Sequence, residues 1–178
     1  LNGDYSYLTM DPPGWADVAY GLNEKGIGIT MNGGNHNMEA QPGLPVNYMV
    51  RFVMEHASTL DEAVGFFRQH IDAGYSFGLA GAMLHIVDFR GNEMARIQVR
   101  SSTIDVSYGE ITDAGARYIA SANHYTGDFQ PDPDYYYESS AKRYGRLLSL
   151  IESTQTFDLD ACIAILSDTH GGEANNTT

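Results

Sequence analysis

Two asparagines that close strand-like segments are the residues of this chain best suited to chemistry. Asn32 follows the apolar run at residues 27–31, and Asn123 follows the run at residues 118–122. Asparagine is disfavoured within strands but common at their ends, where its side chain often forms a simple turn with the backbone. An amide N–H at such an end can also donate to a developing oxyanion, and losing one such donor slows a reaction about 10²–10³-fold. Both roles remain open for each asparagine.

A nucleophile to accompany these amides is harder to find. The 178 residues contain one cysteine, Cys162, which lies on the apolar stripe of the last predicted helix, so we expect it to pack in the core as an inert thiol. A single cysteine forms no internal disulfide. The H-E-x-x-H motif is absent, and none of the six histidines has another four residues away. We therefore predict neither a metal site nor a cofactor.

Two arginines on one predicted helix are a third candidate. Arg143 and Arg146 are three residues apart and share a helix face. They are expected either to pair with the acidic loop of Asp128, Asp132 and Asp134, or to clamp an anion. Exposed ion pairs contribute little to stability, whereas the fixed fork of guanidinium donors suits anion recognition. The sequence does not choose between the two interpretations.

Composition narrows the classes of partner. The formal net charge is −13, which repels phosphate backbones and anionic lipid, so neither nucleic acid nor a membrane surface is an expected partner. A neutral or cationic small molecule is easier to accept, although solubility alone also explains the charge. No apolar run approaches the ~20 residues of a membrane helix. The length and the 43% hydrophobic content fit one domain over residues 1–178.

Strand-like and helix-like segments alternate in blocks that would position these residues. Apolar alternation predicts strands at residues 16–22, 27–32, 82–89, 94–100, 104–108 and 117–122. Helical periodicity predicts helices at residues 45–57, 59–71, 137–151 and 159–166. Thr59 and Glu62 form the T-x-x-E pattern of a helix start. Because residues 82–89 are apolar on both faces, we expect an α+β domain whose sheet packs between helices and a second sheet.

Four motifs in the same order resemble those of the N-terminal-nucleophile amide hydrolases. Their pattern is most similar to the penicillin acyltransferase-type branch, which is related to the choloylglycine hydrolases. The motifs are the G-L-N-E-K-G-I-G-I hairpin at residues 21–29, the segments at residues 43–46 and 51–63, N-H-Y at residues 123–125, and S-x-x-R-x-x-R at residues 140–146. The resemblance covers most of the chain, from about residue 19 to residue 167.

The resemblance implies a four-layer αββα sandwich, of which this chain would hold the central part and lack both ends. It also implies a cysteine, exposed at an N-terminus by self-cleavage, that attacks an amide or thioester carbonyl with its own α-amine as base. Leu1 is not that cysteine, and no cysteine precedes Cys162. The nucleophile and its catalytic Asp and Arg are therefore expected outside this chain, which alone would be inactive.

The resemblance also assigns roles to individual residues. Asn123 matches the oxyanion asparagine of the family, and Asn32 matches the strand-end asparagine that assists it in the bile-salt hydrolase branch. His124, Tyr125 and Gly33 are expected to contact the substrate, a small linear acyl amide or thioester.

Three expectations about the whole chain remain. The alternative to an enzyme is a non-catalytic small-molecule binding module on the same scaffold. An exposed sheet edge would favour self-association into a homo-oligomer. The cytoplasm is the favoured compartment.

Overall fold

The computed structural model describes residues 3–11, 13, 18–33, 42–78, 81–129 and 138–169. The strands are β1 Tyr7–Thr9, β2 Tyr20–Asn23, β3 Ile27–Gly33, β4 Leu44–Pro45, β5 Phe77–Gly78, β6 Ala82–Asp88, β7 Glu93–Arg100, β8 Thr103–Tyr108, β9 Glu110–Ile111 and β10 Arg117–Tyr118. The helices are α1 Val46–His56, α2 Leu60–Asp72, α3 Glu138–Ser153 and α4 Leu159–Leu166, with a short 3₁₀ helix at Gly127–Phe129.

A six-stranded antiparallel sheet, ordered β1-β2-β3-β6-β7-β8, is the centre of the fold. The β2–β3 hairpin has the predicted turn, in which Gly26 takes a φ of 91° that a residue with a Cβ adopts only under strain. The side chain of Asn23 shapes this turn by accepting the Ile27 N–H at 3.0 Å. Its amide also donates to the carbonyls of Met54 and Ala57, at 3.2 Å and 2.8 Å. The hairpin motif therefore fastens the sheet to the end of α1.

One face of the sheet carries the apolar core and is covered by α1 and α2. The buried side chains alternate along the strands and recur every three or four residues along the helices, as the two periodicities require. They include Ile27, Ile29, Leu84, Ile86, Ala95 and Ile97 from the sheet, with Val50, Val53, Ala63, Val64 and Phe67 from the helices. Burial of each larger side chain stabilises the fold by about 1.5–3 kcal/mol.

The opposite face of the sheet is polar and is covered by residues 119–129. Gln98 of β7 is fully buried, and its amide accepts the Thr126 N–H at 2.7 Å and donates to the Thr126 carbonyl at 3.0 Å. Arg96 donates to the Ala120 carbonyl at 3.1 Å, and Arg100 donates to the Phe129 carbonyl. Side chains of β7 thus supply hydrogen bonds to the backbone of residues 119–129, which a neighbouring strand would otherwise provide.

α3 lies on the far side of this covering segment. Tyr118 of β10 donates to Glu152 of α3 at 3.1 Å, and the α3 residues that contact Asn123 are described below. The layers are α1–α2, the large sheet, the segment with the β9–β10 pair, and α3–α4. This order confirms the predicted α+β, αββα architecture.

Three of the predicted elements begin or end at other residues in the structure. The strand predicted at residues 117–122 ends at Tyr118, because the Ala120 carbonyl bonds to a side chain of β7 rather than to a strand. The helix predicted from Pro45 begins at Val46, after β4. The strand predicted at residues 16–22 is described only in part and begins at Tyr20, while residues 16 and 17 lie outside the described residues.

The prediction that Cys162 packs in the core is wrong. Cys162 is exposed, and none of the residues of α4 is buried. α4 lies against α3, and Arg146 of α3 pairs with Asp168, two residues after the end of α4, at 2.9 Å. Among the described residues, no helix combines the length and apolar character needed to cross a bilayer.

Candidate functional site: two asparagine amides at the end of β3

Residues 121–123 lie alongside the last two residues of β3, although about ninety residues separate them in sequence. The Asn123 side-chain amide donates to the Gly33 carbonyl at 3.2 Å. The Asn32 side-chain amide donates to the Ser121 hydroxyl at 3.3 Å. We call these four residues, Asn32, Gly33, Ser121 and Asn123, the two-amide site. The structure thus brings together three of the residues that the sequence singled out.

The orientation of the Asn123 amide is set by Arg143. The guanidinium donates to the Asn123 Oδ1 at 2.9 Å. Because a guanidinium offers only donors, the oxygen must face Arg143 and the Nδ2 must point away from it. Nδ2 carries two N–H groups, and the bond to Gly33 uses one of them. The site therefore offers an oriented amide donor with a positive charge behind it.

The backbone of Asn123 is held by Ser140, in the first turn of α3. The Asn123 N–H donates to the Ser140 Oγ at 2.6 Å, and the same oxygen lies 2.8 Å from the Nδ1 of His124. The His124 ring also meets the Tyr144 ring edge-on, with 5.5 Å between centroids. Ser140, Arg143 and Tyr144 are spaced i, i+3, i+4, so one face of α3 makes all of these contacts.

Two histidines on this side of the sheet have lowered pKa values, which favours their neutral forms. The pKa of His124 is lowered by burial, and further by the charges of Arg143 and Arg96. The pKa of His85 is lowered to about 4, by burial and then by Arg96, its cross-strand neighbour. His85 lies 3.5 Å from the Thr30 hydroxyl, and Thr30 is two residues before Asn32 on the same face of β3. The positive charges near the site are therefore those of Arg143 and Arg96, although the chain as a whole has a net charge of −13.

Tyr125, which the sequence assigned to substrate binding, lies behind the site. Its side chain is 1% exposed, and its hydroxyl donates to the Val99 carbonyl at 2.7 Å. A Cβ at Gly81 would fall 1.4 Å from this hydroxyl, so only glycine leaves room for the bond. Burial raises the pKa of Tyr125 to about 12, which keeps the hydroxyl a donor. Tyr125 anchors the segment that carries Asn123.

The structure separates the two arginines that the sequence treated together. Arg143 bonds to Asn123, while Arg146 pairs with Asp168. The alternative pairing with the acidic loop at residues 128–134 lies outside the described side chains. No local pattern in the sequence connects Ser140 to Asn123, which lies 17 residues earlier, although Ser140 heads the S-x-x-R-x-x-R motif.

Neither of two further nucleophile candidates is built for attack. Cys162 lies inside α4, with its N–H bonded to the Asp158 carbonyl. A G-x-S-x-G pattern occurs at residues 74–78, but it leads from α2 into β5, whereas a nucleophile elbow leads from a strand into a helix. The Ser76 hydroxyl donates to the Pro42 carbonyl at 3.0 Å. Among the described residues, no three His, Cys, Asp or Glu side chains converge as metal ligands would.

Solved structures share this fold. A conjugated bile acid hydrolase variant from Clostridium perfringens superposes with a TM-score of 0.55 at 13% identity, covering 93% of this chain and 64% of that chain. An ortholog of N-acylethanolamine-hydrolyzing acid amidase from Caenorhabditis elegans superposes with a TM-score of 0.56 at 15% identity, covering 97% of this chain and 76% of that chain. Both have the N-terminal-nucleophile hydrolase fold, and at these identities the likeness shows the fold alone.

The sequence comparisons identify the family. No curated protein sequence matches this chain. The family model described as acyl-coenzyme A:6-aminopenicillanic acid acyl-transferase matches residues 4–178, nearly the whole chain. This match agrees with the ordered motifs and with the fold of the solved structures. The chain therefore belongs to the acyl-coenzyme A:6-aminopenicillanic acid acyl-transferase family, within the N-terminal-nucleophile hydrolases.

Proposed function

We propose that this chain is the oxyanion-binding part of an amide hydrolase or acyltransferase that works through a cysteine acyl-enzyme. The observation that carries the proposal is the Asn123 amide, with its oxygen fixed by Arg143 and its nitrogen beside the end of β3. Membership of an acyl-transferase family and the amide-cleaving names of the two solved structures support the same chemistry. The substrate class is a small, linear acyl amide or thioester.

The nucleophile in this proposal lies outside the 178 residues. An N-terminal cysteine uses its own α-amine as base, so it must be the first residue of a processed chain. Cys162 has no free amine, because its nitrogen belongs to the backbone of α4 and bonds to Asp158. The matching cysteine is therefore expected in the gene product that contains the residues preceding Leu1.

In the proposed reaction, the two side-chain amides stabilise the oxyanion. The thiolate attacks the carbonyl carbon, and the π electrons of the C=O bond move to oxygen and form an oxyanion. The second N–H of Asn123 donates to this oxyanion, with an N–H of Asn32 as the assisting donor. Arg143 polarises the Asn123 amide through its 2.9 Å bond to Oδ1. Collapse breaks the C–N or C–S bond, the leaving group takes a proton from the α-ammonium, and water or an amine then releases the acyl group.

The test begins with the longest gene product that includes this sequence. After maturation, it is incubated with a panel of chromogenic acyl amides and thioesters, and mass spectrometry locates the acyl adduct. We expect an adduct on an N-terminal cysteine upstream of Leu1. Absence of any adduct across a broad panel, in a correctly matured protein, would sink the proposal. Saturable binding of the same compounds without an adduct would instead support a non-catalytic binding module.

Asn123→Ala tests the proposed oxyanion donor. We expect acylation to slow about 10²–10³-fold, because one preorganised donor to the oxyanion is lost. Asn92→Gly is a suitable control, since Asn92 lies in the β6–β7 turn with a φ of 52° that glycine adopts readily. An unchanged acylation rate in a folded Asn123→Ala variant would remove Asn123 from the mechanism.

A further inference from the structure

The hydroxyl of Ser140 stands between the backbone of Asn123 and the ring of His124. Ser140 as a whole is 1% exposed, so little water reaches the hydrogen bonds of its hydroxyl. Its oxygen accepts the Asn123 N–H at 2.6 Å and lies 2.8 Å from the His124 Nδ1. Residues 119–126 have no backbone ladder in this region. The position of Asn123 therefore depends on side-chain contacts of this kind.

The tautomer of His124 sets the direction of this contact, because the Ser140 oxygen can accept two hydrogen bonds as well as donate one. A serine hydroxyl has one proton to donate, and its oxygen already accepts the Asn123 N–H. A neutral imidazole that is protonated on Nε2 presents Nδ1 as an acceptor. The bonds then run from the Asn123 N–H to the Ser140 oxygen, and from the Ser140 proton to His124. All three groups are satisfied, and the loop residue is tied to a regular helix.

We propose that Ser140 is a positioning residue, which places the Asn123 amide for oxyanion binding by accepting the Asn123 backbone N–H and donating to His124. The inference rests on the proposed function for its kinetic consequence, but not for the contact itself. Arg143 fixes which way the amide is turned, while Ser140 fixes where the residue stands. Both act from the same face of α3.

The first arm of the test is amide hydrogen exchange on the ¹⁵N-labelled chain, compared with Ser140→Ala. We expect exchange at the Asn123 N–H to accelerate about tenfold, the effect of losing one net hydrogen bond, and the His124 Nδ1 resonance to shift. Exchange in β6 and β7 should be unchanged, which reports that the variant folds. Ser149→Ala is the matched control, because Ser149 is exposed on α3 and, among the described residues, its hydroxyl bonds within its own helix, to the Gly145 carbonyl.

His124→Phe is a second variant, which keeps the Ser140 hydroxyl and removes its acceptor. We expect Asn123 exchange to stay within about threefold of the parent, since the Asn123–Ser140 bond remains. An Asn123 exchange rate that Ser140→Ala leaves unchanged would overturn the inference. So would a loss of protection in His124→Phe as large as that in Ser140→Ala.

The second arm is a double-mutant cycle in the matured enzyme. We expect Ser140→Ala to lower kcat about tenfold with KM within about twofold, because placement of a transition-state donor is lost and not substrate binding. In the Asn123→Ala background, Ser140→Ala should have no further effect on kcat, whereas a merely structural role would give an additive loss. An additive loss overturns the inference.

The two arms separate the failure of the inference from that of the proposed function. If Asn123→Ala leaves acylation unchanged, the proposed oxyanion role fails, and amide exchange still decides the contact. If Asn123→Ala slows acylation but Ser140→Ala does not, only the positioning role of Ser140 fails.

Discussion

Tyr125→Phe should destabilise the protein measurably, although it removes a single oxygen atom. The Tyr125 hydroxyl donates to the Val99 carbonyl at 2.7 Å, inside the layer between the sheet and residues 119–129. Phenylalanine keeps the ring, so the edge-on contact with Phe129 at 5.9 Å and the cation–π contact with Arg100 at 5.0 Å remain. The variant therefore isolates the hydrogen bond from the packing.

The magnitude follows from what is lost at each end of the bond. A neutral hydrogen bond contributes about 0.5–1.5 kcal/mol net, and a buried acceptor left without its donor raises the total cost to about 1–3 kcal/mol. For a chain of 178 residues, each kcal/mol lowers Tm by about 2–4 °C. We expect a free energy of unfolding lower by about 2 kcal/mol and a Tm lower by about 4–8 °C.

Urea unfolding followed by circular dichroism measures this change. The midpoint should fall while the m-value stays constant, because the surface exposed on unfolding is the same. Tyr108→Phe is the control, since Tyr108 is 50% exposed at the end of β8. If Tyr125→Phe costs no more than Tyr108→Phe, within about 0.5 kcal/mol, water replaces the hydroxyl and the anchoring argument is refuted.

Three further predictions concern titration and packing. The pKa of His85 is about 4 in the folded protein against an ordinary 6.5, so between these pH values the unfolded chain binds a proton that the folded chain does not. The free energy of unfolding should therefore fall by roughly 3 kcal/mol from pH 6.5 to pH 4. His85→Gln should abolish most of that fall when unfolding is measured as a function of pH. The pKa of Tyr125 is raised from 10 to about 12, so the stabilisation by its hydroxyl is complete below pH 10 and is lost as the pH rises towards 12. The difference in free energy of unfolding between the parent and Tyr125→Phe should narrow from pH 10 to pH 12. A constant difference would contradict the raised pKa. Gly81→Ala should destabilise the fold by at least about 1–3 kcal/mol, because its Cβ would lie 2.7 Å from the Val99 carbonyl oxygen as well as against Tyr125. Gly145→Ala in α3 should stabilise the fold by about 0.5–1 kcal/mol, because a Cβ there meets no atom within 4 Å. If both variants change the free energy of unfolding in the same direction, the steric explanation is refuted.

Local sequence patterns predicted the elements well where the chain supplies its own partners. The helix start at α2 is an example: Thr59 accepts the Glu62 N–H at 3.2 Å, as the T-x-x-E pattern predicts. On the reciprocal side, the Glu62 carboxylate accepts the Ser58 N–H at 2.8 Å. The strands from β6 to β8 likewise follow their alternating apolar residues.

Long-range partners made other features unpredictable. The strand predicted at residues 117–122 ends early because the Ala120 carbonyl accepts a hydrogen bond from the Arg96 side chain. Arg96 lies 24 residues earlier in the chain, so no local pattern announces this bond. The exposure of Cys162 depends on what covers α4, and helical periodicity predicts an apolar stripe without saying whether another layer packs on it.

The sequence by itself determined the family, because the order and spacing of its motifs are local properties of the chain. Only the tertiary structure decided what the side chains of Asn32 and Asn123 contact. It brought Asn123 to Gly33 across 90 residues and turned its amide through Arg143. A hydrogen bond needs its donor and acceptor within about 3 Å of each other, and that distance is fixed by the packing of residues 119–129 between the sheet and α3 rather than by any residue adjacent in sequence.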